Sequence, residues 1–157
     1  MDIEDFLIFD AKIEKKKLIF SFTANGNEIT ELRMLHFINK MEKTVIELNK
    51  DEIKKVYFLF DIQELCVPTN YSVLKNFAEM MKNHEEVLTQ KLEFTIIYTK
   101  NNVFRLFFNF FRKYYNPVKP LYLCKTDEEV YDCFHDEEKR KQFPNIITLI
   151  ENSENSH

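Results

Sequence analysis

The chain of 157 residues contains one glycine, Gly26. Phosphate-cradling loops and nucleophile elbows need several glycines, because backbone amides must approach an anion closely or the chain must take a strained turn. A P-loop, a dinucleotide-binding fingerprint and a GxSxG hydrolase site are therefore excluded. The chain is 45% hydrophobic and 31% charged, which excludes wholesale disorder and is enough for a core without disulfides or metals. No apolar run approaches the roughly 20 residues that a membrane-spanning helix requires.

Cys66, Cys124 and Cys133 are odd in number in a chain too long to need staples, so free thiols in a reducing cytoplasm are expected. The opening MDIEDFLIFD places acids where a secretory leader carries positive charge and reads as mature structure. The net charge of -4 hides an asymmetry. From Phe94 to Thr126 there is no acid, while Lys100, Arg105, Arg112, Lys113, Lys119 and Lys125 are all basic. A basic, aromatic-rich stretch inside an acidic protein reads either as a solvated helix edge or as a contact surface for something anionic.

Hydrophobic periodicity orders the elements. Phe6–Ile13 and Leu18–Phe22, split by the polar Glu14–Lys17, predict an antiparallel hairpin. After Asn25-Gly26-Asn27, the residues Met34, Phe37, Ile38, Met41, Val45 and Leu48 recur at helical spacing, predicting an amphipathic helix over 28–49. Lys55–Asp61 is a short apolar run of β formers ending in an acid, as a strand buried on both faces would be. Pro68 and Thr69 open a second helix to about Gln90, striped by Val73, Leu74, Phe77, Met81 and Leu88. A second central strand follows over Leu92–Thr99, then a third helix over Asn101–Tyr115 that is apolar around most of its circumference.

Pro117 and Pro120 frame a break before a short strand over Val118–Cys124. Thr126-Asp127-Glu128-Glu129 is a capping box opening a fourth helix to about Lys141. The apolar segment Phe143–Ile150 must dock, and its own sheet or a partner would cover it; the polar 151–157 reads as a flexible tail. The order predicts a single α/β domain over 1–150: an N-terminal β-hairpin, then alternating helices and strands, in a mixed, mostly parallel sheet covered by about four helices.

This order, with Val56-Tyr57-Phe58-Leu59-Phe60-Asp61-Ile62, then Phe94-Thr95-Ile96-Ile97-Tyr98, then Leu121-Tyr122-Leu123 and Thr126-Asp127-Glu128-Glu129-Val130, resembles the STAS superfamily, particularly its divergent SpoIIAA-like members. The likeness spans about Ile19 to Phe134 and implies a regulatory or scaffold module, not an enzyme, that acts by binding a protein partner. In anti-sigma-factor antagonists of that family, an Asp-Ser-Ser-Gly turn after the strand carries a phosphorylated serine. Counting without gaps from Asp61 puts Thr69-Asn70-Tyr71-Ser72 there, so the signature is not reproduced. Those four residues, with Asp61, form the candidate partner-binding or phospho-switch region; the plainer reading is a helix start with capping hydroxyls. The stretch Asn101–Arg105 through Tyr115-Asn116-Pro117 is also similar to CRAL-TRIO lipid-binding domains, which are longer and enclose a lipid.

Other chemistry is thin. Cys124, Cys133 and His135 lack the close first pair of a zinc site, so neither metal nor cofactor is expected. Cys66 with His84 or His36 has no evident oxyanion hole or orienting acid. Asp61 ends a central strand, where open α/β sheets bind ligands, but an acid there also caps the following turn. On the third helix Phe104, Phe108, Phe111 and Tyr115, beside Arg105, Arg112 and Lys113, suit contact with a lipid or anionic membrane surface. A second protomer could meet the same surface. Nucleic acid is disfavoured, because an acidic protein with one modest basic helix neutralises few phosphates.

Overall fold

In the computed structural model, residues 7–26, 29–64, 73–100, 109 and 112–145 are described. The first two strands, β1 (Leu7–Glu14) and β2 (Lys17–Ala24), pair antiparallel without interruption. The two residues between them, Lys15 and Lys16, have φ of 48° and 69°, as the tightest hairpin turn demands at both central positions. Lysine lacks glycine's freedom there. The Lys15 side chain reaches Tyr131: its ammonium meets the hydroxyl and lies 4.6 Å from the ring centroid.

Helix α1 (Glu31–Glu47) opens on Thr30, whose hydroxyl accepts from the Arg33 amide at 3.2 Å. Its stripe of Met34, Phe37, Ile38, Met41 and Val45 is buried, as the spacing predicts. Strand β3 (Val56–Asp61) follows, then α2 (Val73–Asn83), α3 (Glu85–Lys91), β4 (Leu92–Tyr98), β5 (Leu121–Cys124), α4 (Asp127–His135) and α5 (Glu137–Arg140).

The predicted α/β class is the observed one. The five strands lie in the order β1-β2-β3-β4-β5, and every pair after the hairpin is parallel. Two predicted helices each divide. The second breaks at His84, which follows Asn83, two residues of weak helix preference, and the His84 ring is held by Glu42 of α1 at 3.0 Å. The fourth breaks at Asp136, whose extended backbone and side chain, accepting from the Lys139 amide at 3.1 Å, start α5 afresh. Most of the predicted third helix, 101–108 with 110 and 111, lies outside the described residues; Arg112–Tyr114 form a turn. The last strand is shorter than predicted and begins after Pro120.

Because the strand order never reverses, right-handed connections place each connecting helix on the same face of the sheet. Helices α1, α2 and α3 accordingly share one core with Phe20, Phe22, Val56, Phe58 and Ile97. Alternate residues of the same strands, Ile19, Phe94, Ile96 and Cys124, form a second core on the other face with Cys133 and Phe134 of α4. The segment after α5 returns to the outer edge of β5: the Leu123 amide donates to the Pro144 carbonyl at 3.0 Å, and Asn145 bridges to Tyr122. The rest of the predicted docking segment, 146–150, lies outside the described residues, as does the tail.

Candidate functional site

A half-open cavity of about 170 Å³ lies between the sheet and its helical layer. Phe58 and Phe60 of β3, Thr95 and Ile97 of β4 and Leu121 of β5 form its floor. Met34 and Phe37 of α1, Leu74, Phe77 and Met81 of α2, and Leu88 of α3 form its roof. Tyr115, Pro117, Val118 and Lys119, from the connection into β5, close one side. Strand alternation explains the floor, since every second residue of β3 must face the helices; helical spacing explains the roof.

The lining is almost wholly hydrocarbon. Thr95, Lys119 and the Tyr115 hydroxyl are its polar side-chain groups among the described residues. Burial pushes the Tyr115 phenol up to about 12, with the Glu85 carboxylate adding to the effect and a hydrogen bond to the Val118 backbone opposing it. Tyr115 therefore stays neutral across the physiological range.

The residues singled out from the sequence are distributed unevenly around this cavity. Tyr115, expected on the lipid- or membrane-contact surface, is buried with its ring on the cavity. Arg112 is half-buried and Lys113 exposed on the turn beside α2, where the Lys75 ammonium lies 5.8 Å from the Tyr114 ring centroid. Phe104, Arg105, Phe108 and Phe111 lie outside the described residues, as do Cys66, Thr69, Asn70, Tyr71 and Ser72. The segment holding those last four is nonetheless flanked by Ile62 and Leu74, both on the cavity wall.

Asp61 caps its own turn. One carboxylate oxygen accepts from the Gln63 amide at 3.4 Å and from the Gln63 side chain at 3.0 Å. The neighbouring Tyr98 phenol is raised by burial, by a hydrogen bond to Asp127 and by the charges of Asp127 and Asp61. With no reversal in strand order, the described strands open no crevice at their carboxyl ends of the kind that binds cofactors in doubly wound sheets.

On the opposite face Cys124 and Cys133 are fully buried side by side. Their mutual hydrogen bond and burial drive the Cys124 thiol far up, so it is a packing group and not a nucleophile. His135, the third member of that spacing, is engaged elsewhere: its Nε2 lies 2.8 Å from Glu14 Oε1. That contact holds the Glu14 carboxyl below its ordinary range, burial opposing and Lys12 adding. Among the described residues no group of three or more His, Cys, Asp or Glu could hold a metal ion. Nor is any described helix long and apolar enough to cross a membrane.

Sequence reasoning found all six roof residues as core stripes and left a small apolar groove open, but did not place it between them. The signal that could have marked it is weak: an apolar connection, Tyr115 to Val118, in excess of what a short loop needs. Comparison of the chain with protein-family models, with curated proteins and with solved structures finds no match in any of the three.

Proposed function

We propose that the chain is a non-enzymatic, STAS-like regulatory module that binds a small apolar ligand between its sheet and its helical layer. The cavity carries this reading. Native interiors rarely hold voids larger than a water molecule, and an apolar cavity of roughly 150 Å³ stays dry and accepts benzene-sized guests. A guest there would supply the lining with dispersion contacts that the space otherwise denies it. A single ring or a short acyl segment matches the volume, and Lys119 and Thr95 offer the polar end of such a molecule a partner.

Protein-partner binding at Thr69–Ser72 attaches to the same place. Ile62 and Leu74 enclose that segment in sequence and touch the cavity, so a guest pressing on both residues would bias the segment between them. Ligand occupancy would then set partner affinity, with no chemistry performed.

Native mass spectrometry of the protein purified from its natural host tests this directly. The expected spectrum carries a stoichiometric, solvent-extractable adduct that Leu74→Phe removes. An adduct-free spectrum, together with no rise in thermal midpoint on adding benzene or a medium-chain fatty acid, would overturn the reading.

A further inference from the structure

Strand β1 has β2 on one side and no described strand on the other. Residues 8–13 are all exposed, with Ile13 at 77%, Ile8 at 54% and Phe9 at 43%. It pairs with β2 without a bulge from Leu7 to Glu14 and contains no proline. Natural edge strands are normally blunted by bulges, prolines or outward charge. The one lysine here, Lys12, is offset by its own Glu14 at 3.4 Å. The strand is also held firmly: Leu7 is buried, Glu14 meets His135, and the adjoining Lys15 meets Tyr131. Among the described residues it presents a continuous, anchored row of backbone groups with no strand paired to them on the outer side.

The geometry points to a second copy of this chain as the occupant, joined through β1 about a two-fold axis. Across such an axis the strands run antiparallel, and one residue must face its own copy, because outward-pointing backbone groups recur at every second residue. An axis at Asp10 sets that carboxylate against itself. At Lys12 the axis opposes two ammonium groups and sets Asp10 against Glu14.

With the axis at Ala11, Asp10 of each copy lies opposite Lys12 of the other, and Phe9 opposite Ile13, each pair occurring twice. Axes nearer either end pair fewer residues. Charge thus selects one register. In it the exposed Ile13 is covered by a Phe9 ring that already lies 5.6 Å from Phe20 and 5.4 Å from Phe22 between centroids. The two five-stranded sheets become continuous, and neither copy keeps an open β1 edge. This assembly does not depend on the cavity being a ligand site.

Sedimentation velocity of the full chain from micromolar to sub-millimolar concentration tests it, with far-UV circular dichroism confirming that each variant is folded. The wild type should show a reversible monomer–dimer equilibrium. Lys12→Asp and Asp10→Lys should each weaken dimerisation about tenfold or more, since opposite charges facing across strands become like charges. The double exchange Asp10→Lys with Lys12→Asp restores both pairs and should return the dimer, which a merely sticky edge would not do. A wild type that stays monomeric throughout, or a dimer insensitive to the single changes, overturns the proposal, as does failure of the double exchange to restore it.

Discussion

The two faces of the sheet are made from alternate residues of the same strands, yet they are packed on opposite principles. Toward α1–α3, large rings and long aliphatic chains meet at a distance and leave a cavity of about 170 Å³. Toward α4, small and large groups interlock. Two fully buried thiols fill the gap beside Phe94, Tyr122 and Phe134, whose rings meet at 5.5 and 5.8 Å. Arg140 stacks over Phe94 at 4.5 Å and donates to the last carbonyls of α4. Apolar composition therefore does not decide whether a face is filled; the fit of neighbouring volumes does.

Removing bulk from the filled face should have the largest effect. Phe134→Ala, at a position 3% exposed, should lower unfolding free energy by about 3–5 kcal/mol in urea titration. A loss below about 1 kcal/mol would mean that this face is packed no better than the other. Adding bulk there should come next: Cys133→Leu should cost about 1–3 kcal/mol, because Cys133 is fully buried among Phe94, Cys124 and Phe134. On the open face the same kind of change should do the opposite. Leu74→Phe should leave stability within about 1 kcal/mol of wild type or raise it, while abolishing binding of an apolar probe; a cost as large as that of Cys133→Leu would remove the contrast.

The smallest effect belongs to the clasp between β1 and α4. Glu14 has a lowered carboxyl pKa in the folded state, so the stability it lends is present above the ordinary carboxylate range and is lost as pH falls through the folded-state value. Glu14 is partly exposed, so Glu14→Gln should cost only about 0.5 kcal/mol at neutral pH. The difference between variant and wild type should vanish in acid; a cost that persists at low pH would show that Glu14 acts by packing.

Much of the fold was legible because its signals are local. The stripe from Met34 to Val45, the run from Val56 to Asp61 and the start at Thr126 each sit within a few turns of chain. The Thr126 hydroxyl does accept from the Glu129 amide at 3.1 Å, although Glu129 reaches back to the Lys125 amide and not to that of Thr126. The breaks at His84 and Asp136 escaped because each depends on a side chain's choice of partner, not on a period. Glu14 and His135 stand 121 residues apart and carry no pattern that pairs them. The cavity was the least legible feature. Its lining reads as an ordinary core stripe, and a void is what remains after three elements have settled their distances, which no single stretch of sequence encodes.

The unbroken strand order has a consequence for how the chain is made. Chains emerge from the ribosome N-terminus first, and each strand here pairs with the one synthesised just before it. Among the described strands none waits for a strand still to be translated, so each crossover spans a single connection rather than several. Over these strands the sheet therefore grows from β1 toward β5 as translation proceeds, so β1 is formed before β5 exists. Two copies that join along β1 could therefore meet before β5 of either has been made.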